Sequence, residues 1–168
     1  MSRLIDSCTQ DNWTALNVDS TNVGVEAGGW GGKSVLTFDK EGTTLTAGGV
    51  YKLLAQKAEI NANHTNPYAN YVCWLLNASA LTDIASTFLR LGTSASNYNE
   101  WTEADSVLTA GGCACMVLAA TCTRTGTGCD WSAIKYIAVG VNVDATGSTL
   151  ANIQVEKIQI MEAGEVGA

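Results

Sequence analysis

The sequence predicts an all-β chain, an antiparallel sandwich or barrel, on three observations. Short segments of alternating or continuous apolar residues recur roughly every ten to twenty positions. Gly and Asn punctuate the intervals between them, as tight turns require. Helical periodicity is weak almost everywhere.

The elements follow in order. Ser34-Val35-Leu36-Thr37-Phe38 alternates after the glycine-rich turn Gly28-Gly29-Trp30-Gly31-Gly32. Tyr51 to Ala58, with Leu53, Leu54 and Ala58, can be read as helix or as a strand leaving the Gly48-Gly49 turn, and the strand is preferred. Tyr71 to Leu76 is a nearly continuous apolar run, which fits a central strand buried on both sides. Ser86 to Leu91 alternates and ends at Gly92. Tyr98 to Trp101 reads as a short aromatic strand, and Cys115 to Ala119 follows the Gly111-Gly112 turn. Ile134 to Val141 is long. In the last strand the apolar phase passes from Ile153 and Val155 to Ile158 and Ile160, which predicts a bulge near Glu156 or Lys157. The single proline, Pro67, falls in the polar loop Asn61 to Asn70. No repeat or linker divides the chain, so residues 1–168 form one expected domain, with 162–168 a frayed tail.

Composition narrows the function classes. Of the 168 residues, 46% are hydrophobic and 15% charged, against about a quarter charged in ordinary domains. The surface therefore falls to Thr, Ser, Asn and Gly. The net charge is −7, and Lys33, Lys40, Lys52, Lys57, Arg90, Arg124, Lys135 and Lys157 are dispersed. Without a basic patch neither nucleic acid nor an anionic membrane is an expected partner. The start, Met1 to Ser7, lacks the apolar core of a secretory signal, and no run reaches the length of a membrane span. A soluble product made in a cytoplasm is expected.

Six cysteines are present, Cys8, Cys73, Cys113, Cys115, Cys122 and Cys129, the last four spaced C-x-C-x6-C-x6-C. They can act as small buried apolar residues, as a disulfide such as Cys122 with Cys129, or as metal ligands. The spacing lacks paired C-x2-C knuckles, and the absent signal argues against disulfides during synthesis.

No catalytic residue set emerges. The only histidine, His64, sits in a polar loop, and no G-x-S-x-G occurs. Gly31-Gly32-Lys33-Ser34 is a partial phosphate loop, but a strand follows where a helix N-terminus is needed. Glu100, Glu103 and Asp105 are close in sequence and read as a solvated acidic loop before a glycosidase pair. The expectation is that the chain is not an enzyme. A sugar ring stacks on an exposed aromatic side chain with polar neighbours for its hydroxyls. Trp30, Tyr98, Asn99 and Trp101 are the candidate glycan-binding residues; the alternative is that Trp13, Trp74 and Trp131 fill the core and the others cap its ends.

Three stretches together resemble a known fold family. They are Asn12-Trp13-Thr14 leading to Gly32–Phe38, Leu89-Arg90-Leu91-Gly92 through Asn97–Trp101, and Asp130–Ile137 followed by Asn152–Ile158. The set is similar to the galactose-binding-like jelly roll of carbohydrate-binding modules and of bacteriophage accessory structural proteins. That resemblance implies an antiparallel β-sandwich of jelly-roll type. It further implies a bacteriophage virion accessory protein that decorates or cements the outer surface of the capsid. Its partners would be the major capsid protein and copies of itself, in a homo-oligomer such as a trimer, after synthesis in the host cytoplasm. The alternative is a glycan-binding module of a phage tail, fibre or host-attachment protein. The resemblance also points to a structural calcium, whose ligands here would be Asp6 and Glu156, with Glu standing where Asp is more usual. No other cofactor is expected.

Overall fold

The computed structural model describes residues 3–29, 32–58, 70–78, 80, 82–108 and 112–162. Its strands are β1 (Arg3–Asp6), β2 (Thr14–Ala15), β3 (Ser20–Ala27), β4 (Ser34–Lys40), β5 (Ala47–Ala58) and β6 (Asn70–Asn77). After these come β7 (Ile84–Ser94), β8 (Asn97–Ala104), β9 (Cys113–Leu118), β10 (Thr123–Thr125), β11 (Ile134–Val143) and β12 (Leu150–Glu162). One 3-10 turn, Asp105–Val107, follows β8. No described helix is long and apolar enough to cross a membrane.

The strands form two six-stranded sheets. The first runs β3-β4-β12-β6-β9, with β1 also paired to β12, and the second runs β10-β8-β7-β11-β5-β2. Each strand pairing is antiparallel. The expected antiparallel sandwich is therefore the observed one. Period-2 alternation sends one face of each sheet inward. Leu36, Phe38, Val72, Trp74, Leu76, Ile153, Val155, Ile158 and Ile160 meet Val50, Leu89, Leu91, Trp101, Ile137, Val139 and Val141 in one core. Each such side chain contributes roughly 1.5–3 kcal/mol on burial. The Trp74 indole N–H crosses between the sheets to Thr87 Oγ1 at 3.1 Å, and that hydroxyl donates to Gly140 O at 2.7 Å.

The phase change in the last strand is a bulge, as the sequence predicts. The β12–β6 register jumps between Glu156 and Gln159, and Lys157 has φ +55°. The extra residue lets Val155 and Ile158 both face inward. Other register shifts were not read from the sequence, two of them at asparagines. One lies in β3 between Thr21 and Gly24, the other in β12 between Leu150 and Ile153. Each holds an asparagine at positive φ, Asn22 at +49° and Asn152 at +52°.

Two largely buried ion pairs tie the elements together. Lys40, fully buried, lies 3.5 Å from Asp19 and donates to the carbonyls of Gly42, Thr146 and Ser148. Lys52 meets Asp6 at 2.7 Å, joining the second sheet to the first. One expectation is corrected at the C-terminus. Glu162 is not in a frayed tail but pairs with Asn70 in the β12–β6 ladder, and residues 163–168 lie outside the described set.

Candidate functional site

Solvent-facing positions of a two-sheet sandwich are ordinarily polar. The outer face of the second sheet is different. Its register builds three rows across four strands. Tyr98, Gly92, Tyr136 and Leu53 form one row; Glu100, Arg90, Ala138 and Tyr51 the next; Thr102, Phe88, Gly140 and Gly49 the third. The glycines are packed so closely that none has room for a side chain. A Cβ on Gly92 would lie 2.0 Å from Asn97 O, and one on Gly140 would lie 2.7 Å from the Phe88 ring. The Phe88 ring therefore leans over the bare backbone of Gly140.

The resulting cluster has defined geometry. Tyr136 lies between Tyr98, at 5.9 Å between ring centroids and 38° between planes, and Tyr51, at 6.1 Å and 31°. The Arg90 guanidinium sits 4.6 Å from the Phe88 ring centre and 5.1 Å from that of Tyr98. Its Nε donates to Glu100 Oε2 at 2.5 Å. Phe88 and Tyr136 are buried beneath this layer, whereas Tyr51, Tyr98, Arg90 and Glu100 are half-buried and Leu53 is 64% exposed. Burial pushes the Tyr136 phenol up, and the charge and hydrogen bond of Arg90 only partly oppose this. Burial works against the charged guanidinium, but the hydrogen bond and charge of Glu100, ahead of Tyr98 and Tyr136, outweigh it and hold Arg90 above its ordinary value. The cation is thus fixed in place by aromatic faces and one carboxylate.

Beside this cluster, at the β8–β10 edge, a groove of about 300 Å³ is lined by Glu100, Thr102, Ala120, Thr121, Cys122 and Thr123. Glu100 belongs to both. Aromatic surface, a paired guanidinium and carboxylate, and threonine hydroxyls are together the groups that recognise a polyhydroxylated ring.

The structure separates the residues that the sequence groups. Tyr98 lies on this face. Asn99 and Trp101 do not, a correction forced by strand alternation, since neighbours in a strand point to opposite faces. Trp101 is 0% exposed and donates to Ala119 O at 3.2 Å, with the Trp131 ring 5.8 Å away. Buried Asn99 accepts from Cys129 N at 3.0 Å. Trp30 and His64 lie outside the described residues. The acidic trio is not one loop: Glu100 is opposite Arg90 and Glu103 opposite Thr87, on alternate faces of β8, with Asp105 in the 3-10 turn.

Asp6 has both carboxylate oxygens engaged, Oδ2 by Lys52 and Oδ1 by the Cys8 N–H at 2.7 Å. Glu156 packs its Oε1 over Gly29 and lines a second groove, of about 490 Å³, with Leu4, Ser7, Lys33 and Lys157. Among the described residues no three His, Cys, Asp or Glu side chains gather to hold a metal ion. Tyr51, Arg90 and Tyr136 were not singled out from the sequence; the β7–β8 hairpin brings Arg90 to Tyr98, and the register of distant strands brings Tyr51 and Tyr136.

No protein-family model and no curated protein matches the sequence. Solved structures do match in fold. The family 11 carbohydrate-binding module from Clostridium thermocellum, in complex with a β-1,3-1,4-mixed-linked tetrasaccharide, is 11% identical with a TM-score of 0.65, covering 96% of each chain. A family 30 carbohydrate-binding module is 9% identical with a TM-score of 0.64, covering 96% of this chain and 87% of that one. An exo-β-agarase is 9% identical with a TM-score of 0.62, and the match covers 95% of this chain but only 25% of the enzyme. The fold of this chain is thus the jelly roll seen in carbohydrate-binding modules.

Proposed function

We propose that this chain is a non-catalytic glycan-binding module whose ligand lies across the outer face of the second sheet. The observation behind this reading is the cluster of Tyr51, Tyr98 and Tyr136 around the Arg90–Glu100 pair, next to a hydroxyl-lined groove. The half-buried Tyr51 and Tyr98 rings offer stacking surface, and Arg90 with Glu100 offers donors and acceptors to sugar hydroxyls. The net charge of −7 disfavours acidic polysaccharides and points to a neutral glycan. The structural likeness to modules of families 11 and 30 supports the same class.

The test is a glycan array followed by calorimetry. A Tyr51→Ala, Tyr98→Ala double variant should bind the selected glycan at least about tenfold more weakly, a loss of roughly 1.4 kcal/mol, with unchanged circular dichroism. Full binding by that variant, or no binding of any glycan by the parent chain, would overturn the reading.

A second reading places the chain on the outer surface of a phage capsid, against the major capsid protein and copies of itself. The observation that favours it is exposed apolar surface, Leu4 at 54% and Leu118 at 38%. Counting copies per capsid protein in purified particles decides it, and absence from particles removes it. A calcium on Asp6 and Glu156 would require Asp6 to release Lys52; a melting temperature unmoved by calcium or by chelator would rule that out.

A further inference from the structure

Among the described cysteines, Cys8, Cys73 and Cys115 are buried, whereas Cys122 and Cys129 are half-buried. These two bracket β10, the three-residue edge strand of the second sheet. The β10–β8 register sets Thr123 opposite Glu100 and Arg124 opposite Asn99. Cys122 immediately precedes this ladder and packs against the core. On the other flank the chain turns back through a Gly128 N–H to Thr125 O bond of 3.0 Å, and the Cys129 N–H is anchored on Asn99 at 3.0 Å. Both cysteines pack against the core, near enough that Cys122 is among the groups whose charge acts on Cys129.

We infer that Cys122 and Cys129 form a dithiol–disulfide couple that closes residues 122–129 into a loop and fastens the β10 edge to the sheet. The electrostatics assign the roles. Burial raises both thiols; at Cys122 the charge of Arg124 partly opposes this, while at Cys129 Asp130 and Cys122 itself add to it and the value reaches about 12. Cys122, which also lines the open groove, is therefore the attacking thiol. Its thiolate attacks one sulfur of a small-molecule disulfide, forming a mixed disulfide and releasing one thiolate. Cys129 then loses its proton to solvent and attacks the Cys122 sulfur, expelling the second thiolate. The sum converts a protein dithiol and one disulfide into a protein disulfide and two thiols.

Oxidised glutathione, added in excess to the full chain, tests this without any glycan, so the outcome is independent of the binding proposal. Arg124 lies between the two cysteines, so tryptic peptides carrying each remain joined only if the disulfide forms. The expected result is a loss of two hydrogens in intact mass, a linked Cys122–Cys129 peptide pair, and recovery of the free thiols on reduction. Amide exchange at residues 123–125 should slow in the oxidised form. Cys129→Ser should instead stop at a glutathione adduct on Cys122. An unchanged mass, a stable adduct on Cys122 in the parent chain, or a link between other cysteines would each overturn the inference.

Discussion

The Asn152 backbone N–H donates to Asp39 Oδ1 at 2.6 Å, while the Asn22 amide donates to Oδ2 of the same carboxylate at 2.6 Å. Asp39 lies in β4, between the two strands that carry these bulges, and holds both asparagines in the left-handed region. Left-handed backbone is costly for any residue with a Cβ. Two charge-assisted bonds to one carboxylate offset part of that cost. Asp39→Ala should lower stability by about 1–2 kcal/mol, read as a fall in the urea midpoint at unchanged slope. Asp39→Asn should fall between the two, because its amide NH2 faces another donor.

Lys157 stands at φ +55° with an exposed side chain. Glycine adopts that conformation without steric cost, although it adds entropy to the unfolded chain. Lys157→Gly should raise stability by roughly 0.5 kcal/mol. Lys157→Val, β-branched, should lower it by about 1–2 kcal/mol. Paired urea titrations check both, and a Val variant as stable as the parent would contradict the bulge.

Acid should weaken the loop that Asp19 organises. Its carboxyl is held below the usual value mainly by the Leu45 N–H, with Thr44 and Lys40 adding to this against the effect of burial. A depressed folded pKa means that the stabilisation is complete above the unfolded value of about 3.9 and is lost as pH falls through the folded value. Asp19→Asn should therefore be less stable than the parent at neutral pH, and the gap should narrow as pH drops toward about 2. Urea midpoints measured across that range give the slope directly.

Tyr98 and Trp101 are separated by only three positions, yet substitutions should act on different properties. Tyr98→Ala should weaken glycan binding with at most about 1 kcal/mol of destabilisation. Trp101→Ala should cost about 3–5 kcal/mol through the cavity it leaves. Thermal unfolding and calorimetry on both variants separate the roles.

These contrasts show what a sequence read locally can deliver. The strands around Val35, Phe88 and Val155 were legible because apolar residues alternate with polar ones, and those around Trp74, Val117 and Val139 because their apolar runs are continuous and bounded by turns. The bulge at Lys157 was legible because it breaks that period among apolar residues. The bulges at Asn22 and Asn152 were hidden, since polar neighbours leave no phase to break. The site was mostly hidden too. Tyr51, Tyr98 and Tyr136 share a face only through registers between strands far apart in sequence. Grouping Tyr98 with Asn99 and Trp101 followed proximity along the chain, where alternation sends Asn99 and Trp101 the other way.

The second sheet ends on β10 at one edge and on the two-residue β2 at the other. An open β edge is a template on which a further chain can add, and brevity is one defence against it. Each of these two outer strands offers a neighbouring copy only two or three residues of its own backbone. Copies of the chain crowded onto one surface therefore have little to zip onto along β2 and β10 themselves.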